Sequence, residues 1–411
     1  MNDLAPVKRT AKDFATDQEV RWCPGCGDYA ILRAMQKTLA DIDADPANTV
    51  FVSGIGCAAR FPYYIETYGF HTIHGRAPAF ATGIKLANPD LDVWVVGGDG
   101  DMLSIGGNHL MHVIRRNVDV QVLLFNNEIY GLTKGQASPT SRAGTRSPST
   151  PLGSIDNPVS ACVYAMGAGA RFIARGIDNQ QKVLPDIFKR AHAHKGASFV
   201  EILQNCIVYN DGVFADVTEK SVAAERQVTC EHGKPLVFGT DGTKGLALDS
   251  ATLQLKIVDI GDDGPAAAGV LVHDETNRTL ANMLAAMQDD VLPVAIGVIY
   301  CDPNPSYDEG MAQLKAEAKN RAGSADLLER LPTPFGLVRG GVAPDHQPTK
   351  GVSKKFEKIG ADTRVRFFGN VNVGKDISID DLRAMYDAVI LAVGAPADRK
   401  LTIPGADKDG V

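Results

Sequence analysis

Val93-Trp-Val-Val-Gly-Gly-Asp-Gly-Asp101, followed by Val120-Gln-Val-Leu-Leu-Phe-Asn-Asn127, is the stretch on which the fold is decided. Each run is an apolar segment of strand length that ends on small and polar residues. Between them Gly106–Arg115 reads as a helix. Upstream, Thr49–Val52 reads as another buried strand and ends on Gly54-Ile-Gly-Cys57; downstream, Phe199–Leu203 reads as a fourth. Helical patterns over Gly27–Ile42, Pro78–Ala87 and Asn179–His192 fill the intervals. Strands alternating with helices predict an α/β, doubly wound, mostly parallel sheet with helices on both faces. Ligands of such sheets bind beyond the carboxyl ends of the strands. Gly54–Cys57, Gly98–Gly100 and Asn126-Asn127 all fall at such ends.

Glycine at 98 and 100 lets the backbone approach a phosphate closely. Asp99 is a hard oxygen ligand and Asn127 a second, at the ends of neighbouring strands. Magnesium favours such oxygen ligation combined with substrate phosphates. A Gly-Asp-Gly turn by itself also occurs as a plain turn, and His74, read alone, is as well explained as a capping or core histidine.

The 411 residues suggest two or three domains, and the hydrophobic fraction of 44% supplies sizeable cores. A net charge of −7 gives nucleic-acid binding no electrostatic support. No apolar run approaches a membrane span. Met1–Val20 is polar and mixed in charge, unlike a signal peptide, so a cytoplasmic location is expected. Seven cysteines in a long, unsecreted chain argue for metal ligation or free thiols over a disulfide framework. Cys23 and Cys26 form a Cys-x-x-Cys pair suited to zinc, a redox dithiol or iron–sulfur ligation. A second Cys-x-x-Cys, usual in zinc ribbons, is absent. Four thiolates with two dispersed, at Cys57 and Cys206, suit a 4Fe–4S cluster. Cys162, Cys230 and Cys301 read as thiols without a role.

Residues from about 13 to 310 resemble the β subunit of 2-oxoacid:ferredoxin oxidoreductases, in particular those acting on 2-oxoglutarate. Ala15-Thr-Asp-Gln-Glu-Val-Arg-Trp-Cys-Pro-Gly-Cys-Gly-Asp28, Ser53-Gly-Ile-Gly-Cys57, Arg60-Phe-Pro-Tyr63, His74-Gly-Arg-Ala77, Gly98-Asp-Gly-Asp101, Ser104-Ile-Gly-Gly-Asn108 and Asn127-Glu-Ile-Tyr-Gly-Leu-Thr-Lys-Gly-Gln136 carry the resemblance. It implies thiamine diphosphate held through Mg2+ by Asp99, Asn127 and the Ile129 carbonyl. Ile55, Gly56, Cys57, His74, Gly98, Gly100, Asp101, Leu132 and Thr133 are implied as further cofactor contacts. A 4Fe–4S cluster is implied on Cys23, Cys26, Cys57 and Cys206. Arg60 and Lys134 become the cationic candidates for a 2-oxoacid carboxylate or coenzyme A, against a surface role for both. The implied reaction is oxidative decarboxylation of 2-oxoglutarate with coenzyme A to succinyl-CoA, electrons leaving through the cluster to ferredoxin. Pyruvate- or branched-chain-specific members share that mechanism. The carboxylate that thiamine enzymes set against the aminopyrimidine is implied to come from an α subunit.

From about Ser324 the texture changes and resembles adrenodoxin reductase and related ferredoxin–NADP reductases. Asp326-Leu-Leu-Glu-Arg-Leu-Pro-Thr-Pro-Phe-Gly-Leu-Val-Arg339, Gly341-Val-Ala-Pro-Asp-His346, Arg366-Phe-Phe-Gly-Asn-Val371, Asp387–Gly394 and Ile403-Pro-Gly405 carry this match. Ala325–Glu329 is the expected second strand of an incomplete Rossmann-like FAD-domain fragment, with Glu329 at the ribose position. No G-x-G-x-x-G precedes it, so FAD is not expected to bind. The expected division is 1–206 (thiamine diphosphate and cluster), 207–323 (extension and linker, with one late apolar strand, Val294–Tyr300, and a helical or linker-like stretch over Met311–Ala322) and 324–411 (reductase-like fragment). The Ser-, Thr- and Pro-rich stretch 137–160 reads as a long surface loop of the kind that often forms lids.

Overall fold

A computed structural model describes residues 9–287, 291–320, 323–342 and 346–394. It divides the chain into two compact units, Met1–Lys315 and Ala316–Val411.

The first unit is built on strands β1 (Thr49–Ser53), β2 (Tyr68–His71), β3 (Asp92–Gly98) and β4 (Gln121–Asn126), the short pair β5 (Ile129–Tyr130) and β6 (Gln136–Ala137), and β7 (Phe172–Ile177) and β8 (Ser198–Leu203). Then come β9 (Gln227–Cys230), β10 (Val237–Phe238), β11 (Lys244–Asp249), β12 (Gln254–Asp259) and β13 (Val294–Cys301). Eight of these form one sheet in the order β2-β1-β3-β4-β8-β7-β13-β9. Every neighbouring pair is parallel except β13 with β7. The expected doubly wound sheet is present, and the late apolar run Val294–Tyr300 supplies the antiparallel strand beside β7. Strands β9 and β13, from the expected extension, thus belong to the same sheet as the amino-terminal strands. A separate antiparallel sheet, β10-β11-β12, follows β9.

Alternation along the strands sorts side chains into two cores. Val50, Val52, Val93, Val95, Val122 and Leu124 face helices α2 (Ala77–Ala87), α4 (Gly107–Arg115) and α5 (Ala161–Gly167). Phe51, Trp94, Val96, Leu123 and Phe125 face α1 (Asp28–Asp41) and α6 (Val183–Ala193). Phe51 stacks on Trp94 at 5.9 Å between ring centres. The helix expected from Asn179 begins four residues later, because Gln180–Lys182 form a turn.

Three strands of the sheet, β2, β7 and β9, carry no clear sequence signal. β2 is exposed along its whole length at the sheet edge. β7 holds Arg175 in mid-strand, fully buried, with its Nε 2.7 Å from the equally buried Glu201 of β8.

In the second unit β14 (Ala325–Leu328) runs parallel to β15 (Val365–Phe368), as expected for the strand near 325–329. Asp326 accepts two bonds from Arg366 at 2.7 and 2.6 Å and one from Tyr386 Oη. Glu329 turns back on its own chain and accepts from Leu331 N. The matching stretches at 343–345 and 403–405, and the end of the expected helix at 321–322, lie outside the described residues. Among the described residues no helix is long and apolar enough to cross a membrane.

Candidate functional site

The turns after β1, β3, β4 and β8 meet at the carboxyl edge of the sheet. Asp99 opens the short helix α3 (Asp99–Met102) directly after β3 and is 1% exposed. Thr140 Oγ1 lies 2.7 Å from its Oδ2. No basic side chain pairs with this carboxylate among the described residues. Burial pushes its carboxyl above the ordinary value, against the pull of the Ser138 and Thr140 hydroxyls. A buried, unpaired carboxylate is costly unless a cation joins it, so the donor chemistry fits a divalent ion.

Asn127 stands next to it, after β4. Its Oδ1 accepts from Ile129 N at 3.2 Å, and its Nδ2 donates to Gln204 Oε1 at 2.8 Å. Glu128, between Asn127 and Ile129, has a left-handed φ of 54°. Such a φ is strained for a non-glycine residue, and three partners hold it. Ser141 Oγ donates to the Glu128 carbonyl, Asn210 Nδ2 reaches the Asn127 carbonyl at 2.9 Å, and Arg142 Nε lies 3.3 Å from the Glu128 carboxylate. Arg142 also holds the Val213 carbonyl and Asp216.

Thr140, Ser141 and Arg142 come from the stretch expected as a lid. At this end it is instead the floor of the site, because its hydroxyls supply donors that the turns after β3 and β4 lack. These residues were missed from sequence; nothing distinguishes their hydroxyls from those of a mobile loop.

Asp101 is buried like Asp99 but is satisfied by different groups. Its Oδ1 accepts from Ile55 N (3.1 Å), Gly75 N (2.8 Å) and His74 Nδ1 (2.6 Å). One carboxyl oxygen thereby joins the turns after β1 and β2. Gly100 must lack a side chain, since a methyl group there would overlap the Tyr130 ring, whose hydroxyl donates to the Gly100 carbonyl at 3.1 Å.

The four cysteines gather beside this site. Cys23 and Cys26 share a tight turn, with Cys26 N bonded to Cys23 O at 3.0 Å, and Trp22 Nε1 donates to the Cys57 carbonyl at 2.7 Å. A Cβ on Gly131 would sit 3.5 Å from Cys206 Sγ and 3.7 Å from Cys57 Sγ. Burial, reinforced by Asp28 and the thiols of Cys206 and Cys23, pushes the Cys57 thiol up to about 12. Burial raises Cys26 further, with Asp28, Cys206 and Cys57 adding to it. Thiolates would therefore form here only with positive charge alongside, as a bound metal would supply. Among the described residues no three His, Cys, Asp or Glu groups converge on a single-ion site; a cube instead takes each thiolate on a different iron, so its ligands need no common point. All seven cysteines are free. Cys162, Cys230 and Cys301 lie apart from this group, with Cys162 donating to Glu201 at 3.1 Å.

A cavity of about 320 Å³ opens next to Ile55 and Gly56. Arg60, Leu132, Arg21 and His71 line it as well. Arg21 and His71 were not singled out from sequence. Lys134 and Thr133 do not line it. They sit on the exposed turn after β5, where Lys134 has a φ of 76°.

Residues 54–202 match the family model "Thiamine pyrophosphate enzyme, C-terminal TPP binding domain". The chain is 48% identical over 317 residues to 2-oxoglutarate oxidoreductase subunit KorB of Mycobacterium tuberculosis, covering 76% of this chain and 83% of that one. It is 45% identical to the β subunit of 2-oxoacid:ferredoxin oxidoreductase 2 of Aeropyrum pernix, covering 68% of this chain and 88% of that one. Among solved structures, 2-oxoglutarate:ferredoxin oxidoreductase from Magnetococcus marinus with 2-oxoglutarate, coenzyme A and succinyl-CoA bound aligns at a TM-score of 0.61 and 31% identity. That alignment covers 76% of this chain and 91% of the other. FprA, a Mycobacterium tuberculosis oxidoreductase, aligns with 20% of the chain and 19% of its own at 60% identity and a TM-score of 0.20. With 48% identity over an alignment that spans 83% of the KorB chain, this protein belongs to the β-subunit family of the 2-oxoacid:ferredoxin oxidoreductases.

Proposed function

We propose that this chain is the β subunit of a 2-oxoglutarate:ferredoxin oxidoreductase, converting 2-oxoglutarate and coenzyme A to succinyl-CoA and carbon dioxide. When bound, thiamine diphosphate supplies the decarboxylation chemistry, Mg2+ anchors its diphosphate, and a 4Fe–4S cluster carries electrons one at a time to ferredoxin. Asp99, the Asn127 amide oxygen and the Ile129 carbonyl are the residues to hold the metal. Gly98 and Gly100 leave room for the diphosphate, while Ile55, Gly56, Cys57 and His74 border the cofactor. Cys23, Cys26, Cys57 and Cys206 are the cluster ligands.

The position of Gly131 carries this reading. It stands two residues beyond Ile129 and touches the space shared by Cys57 and Cys206, so one short loop borders both the metal turn and the thiols. Electrons leaving the cofactor then have a short exit.

Arg60 presents its guanidinium to the cavity beside Ile55 and Gly56, where it binds a substrate carboxylate. Lys134, on the exposed turn outside that cavity, is the candidate for coenzyme A, with Leu132 and Thr133 as neighbours. The carboxylate that faces the aminopyrimidine comes from an α subunit, so the catalytic unit is a heteromer. Free thiols throughout accord with a cytoplasmic setting; neither nucleic acid nor a membrane is a partner.

The test is to purify the chain alone and with its α partner, measure iron and thiamine diphosphate, and assay 2-oxoglutarate, pyruvate and a branched-chain 2-oxoacid with ferredoxin. Turnover by the heteromer, with 2-oxoglutarate preferred, is expected. Turnover by the isolated chain, or a heteromer free of iron and thiamine, refutes the proposal.

A further inference from the structure

Gln204 follows β8 directly and is 1% exposed. Its backbone N–H donates to the Asn126 carbonyl at 2.8 Å, extending the β4–β8 ladder one step. Its side-chain Oε1 accepts from Asn127 Nδ2 at 2.8 Å. Its Nε2 donates to the Asn205 carbonyl at 2.6 Å and to Cys26 Sγ at 3.3 Å. The orientation of this amide is fixed by its neighbours. The Asn205 carbonyl only accepts, so Nε2 must face it. Asn127 Oδ1 is engaged by Ile129 N, so Asn127 turns its NH2 toward Gln204. Gly27 closes the other side: a side chain there would come within 3.0 Å of Gln204 Cγ.

We infer that Gln204 is a positioning residue that couples the two cofactor sites, setting the Asn127 amide for the metal and donating an N–H to a cluster sulfur. The inference rests on the assignment of Asn127 and Cys26 proposed above. Through its Oε1 it holds the NH2 of Asn127 away from the metal side and leaves the second lone pair of the amide oxygen to ligate. Through its Nε2 it stabilises negative charge on the Cys26 sulfur. Hydrogen bonds to cluster sulfurs help set the potential, and a donor there favours the reduced, more negative cluster. A single buried amide with all its bonds made thus transmits small movements of the metal turn to the electron acceptor.

The test uses the complete heteromer, with EPR-monitored redox titration for the cluster and calorimetric titration with Mg2+–thiamine diphosphate. Gln204→Leu removes both contacts. Its cluster is expected to be harder to reduce, by up to about tenfold in the reduction equilibrium, or about 59 mV for one electron. Its thiamine diphosphate affinity is expected to fall at least about fivefold. Gln204→Glu keeps an acceptor for Asn127 and removes both N–H donors. It should restore affinity to within about twofold of wild type while the potential stays lowered. If Gln204→Leu does not fold, the potential of Gln204→Glu decides. A loaded wild-type cluster whose potential and cofactor affinity are unchanged in both variants overturns the inference, as does a Gln204→Glu that binds thiamine diphosphate as weakly as Gln204→Leu. A wild-type heteromer without iron or thiamine overturns the assignment beneath it, a separate and recognisable outcome.

Discussion

Replacing Arg175 by Met isolates one buried charge. Arg175 and Glu201 are both fully buried, with Nε and Oε2 2.7 Å apart. Glu201 also accepts from Asn126 Nδ2 at 2.8 Å and from the Cys162 thiol at 3.1 Å. Removing one partner of a buried pair costs about 3–5 kcal/mol, because the other charge is left uncompensated. Two neutral donors remain for Glu201, which places the cost near the lower end, about 3 kcal/mol. For a unit of this size that lowers the melting temperature by roughly 6 °C. The dependence on pH has a definite sign. In the native chain burial disfavours the Glu201 charge, but Arg175, Asn126 and Cys162 outweigh it and hold the carboxyl below its ordinary value. Its stabilisation is therefore present above the unfolded value of about 4.3 and is lost as pH falls through the lower, folded value. In Arg175→Met burial dominates, the folded value rises above the unfolded one, and lowering the pH relieves the penalty. Thermal unfolding followed by circular dichroism between pH 5.5 and 8 should show a gap to wild type that is widest at neutral pH. The double change Arg175→Met with Glu201→Leu should recover most of it. A gap that is absent, or constant across that range, refutes the reasoning.

Gly100→Ala forces a methyl group into the Tyr130 ring; we expect a loss of about 1–3 kcal/mol in stability and weaker Mg2+–thiamine diphosphate binding, read by calorimetry. Arg60→Met removes the cation from the cavity beside Ile55 and Gly56, and steady-state kinetics should show KM for 2-oxoglutarate rising on the order of 10–100-fold, the equivalent of one charge-assisted bond. The purified chain should show no flavin absorbance, since Glu329 bonds back to its own turn and no glycine-rich phosphate turn precedes β14; a stoichiometric flavin spectrum would reverse that expectation.

The main sheet was legible because its strands β1, β3, β4, β8 and β13 are long apolar runs closed by glycine or polar residues. The strand-end rule then collects Cys57, Asp99 and Asn127 at one edge from sequence alone. β7 escaped because an arginine at its centre argues against a buried strand; only the pairing with Glu201, 26 positions on, makes it one. β2 escaped because an exposed edge strand has no buried face to impose alternation. Thr140, Ser141 and Gln204 escaped for a different reason. Their importance lies in what they reach across the fold, and residue type reveals nothing of reach. Asp101 was read with Asp99 as one motif, although the first ties the backbone together and the second faces inward alone.

The three bonds to one oxygen of Asp101 have a mechanical consequence. The loops after β1 and β2 are pinned to the start of the helix after β3, so none of them can drift without dragging the others. On the proposed function, a diphosphate arriving there would meet a cradle whose shape was set when the sheet folded, and ordering costs that would otherwise fall on binding would already be met. Freed from that oxygen, as in Asp101→Asn, the loops would move independently, and the cofactor would have to gather its own pocket at each encounter.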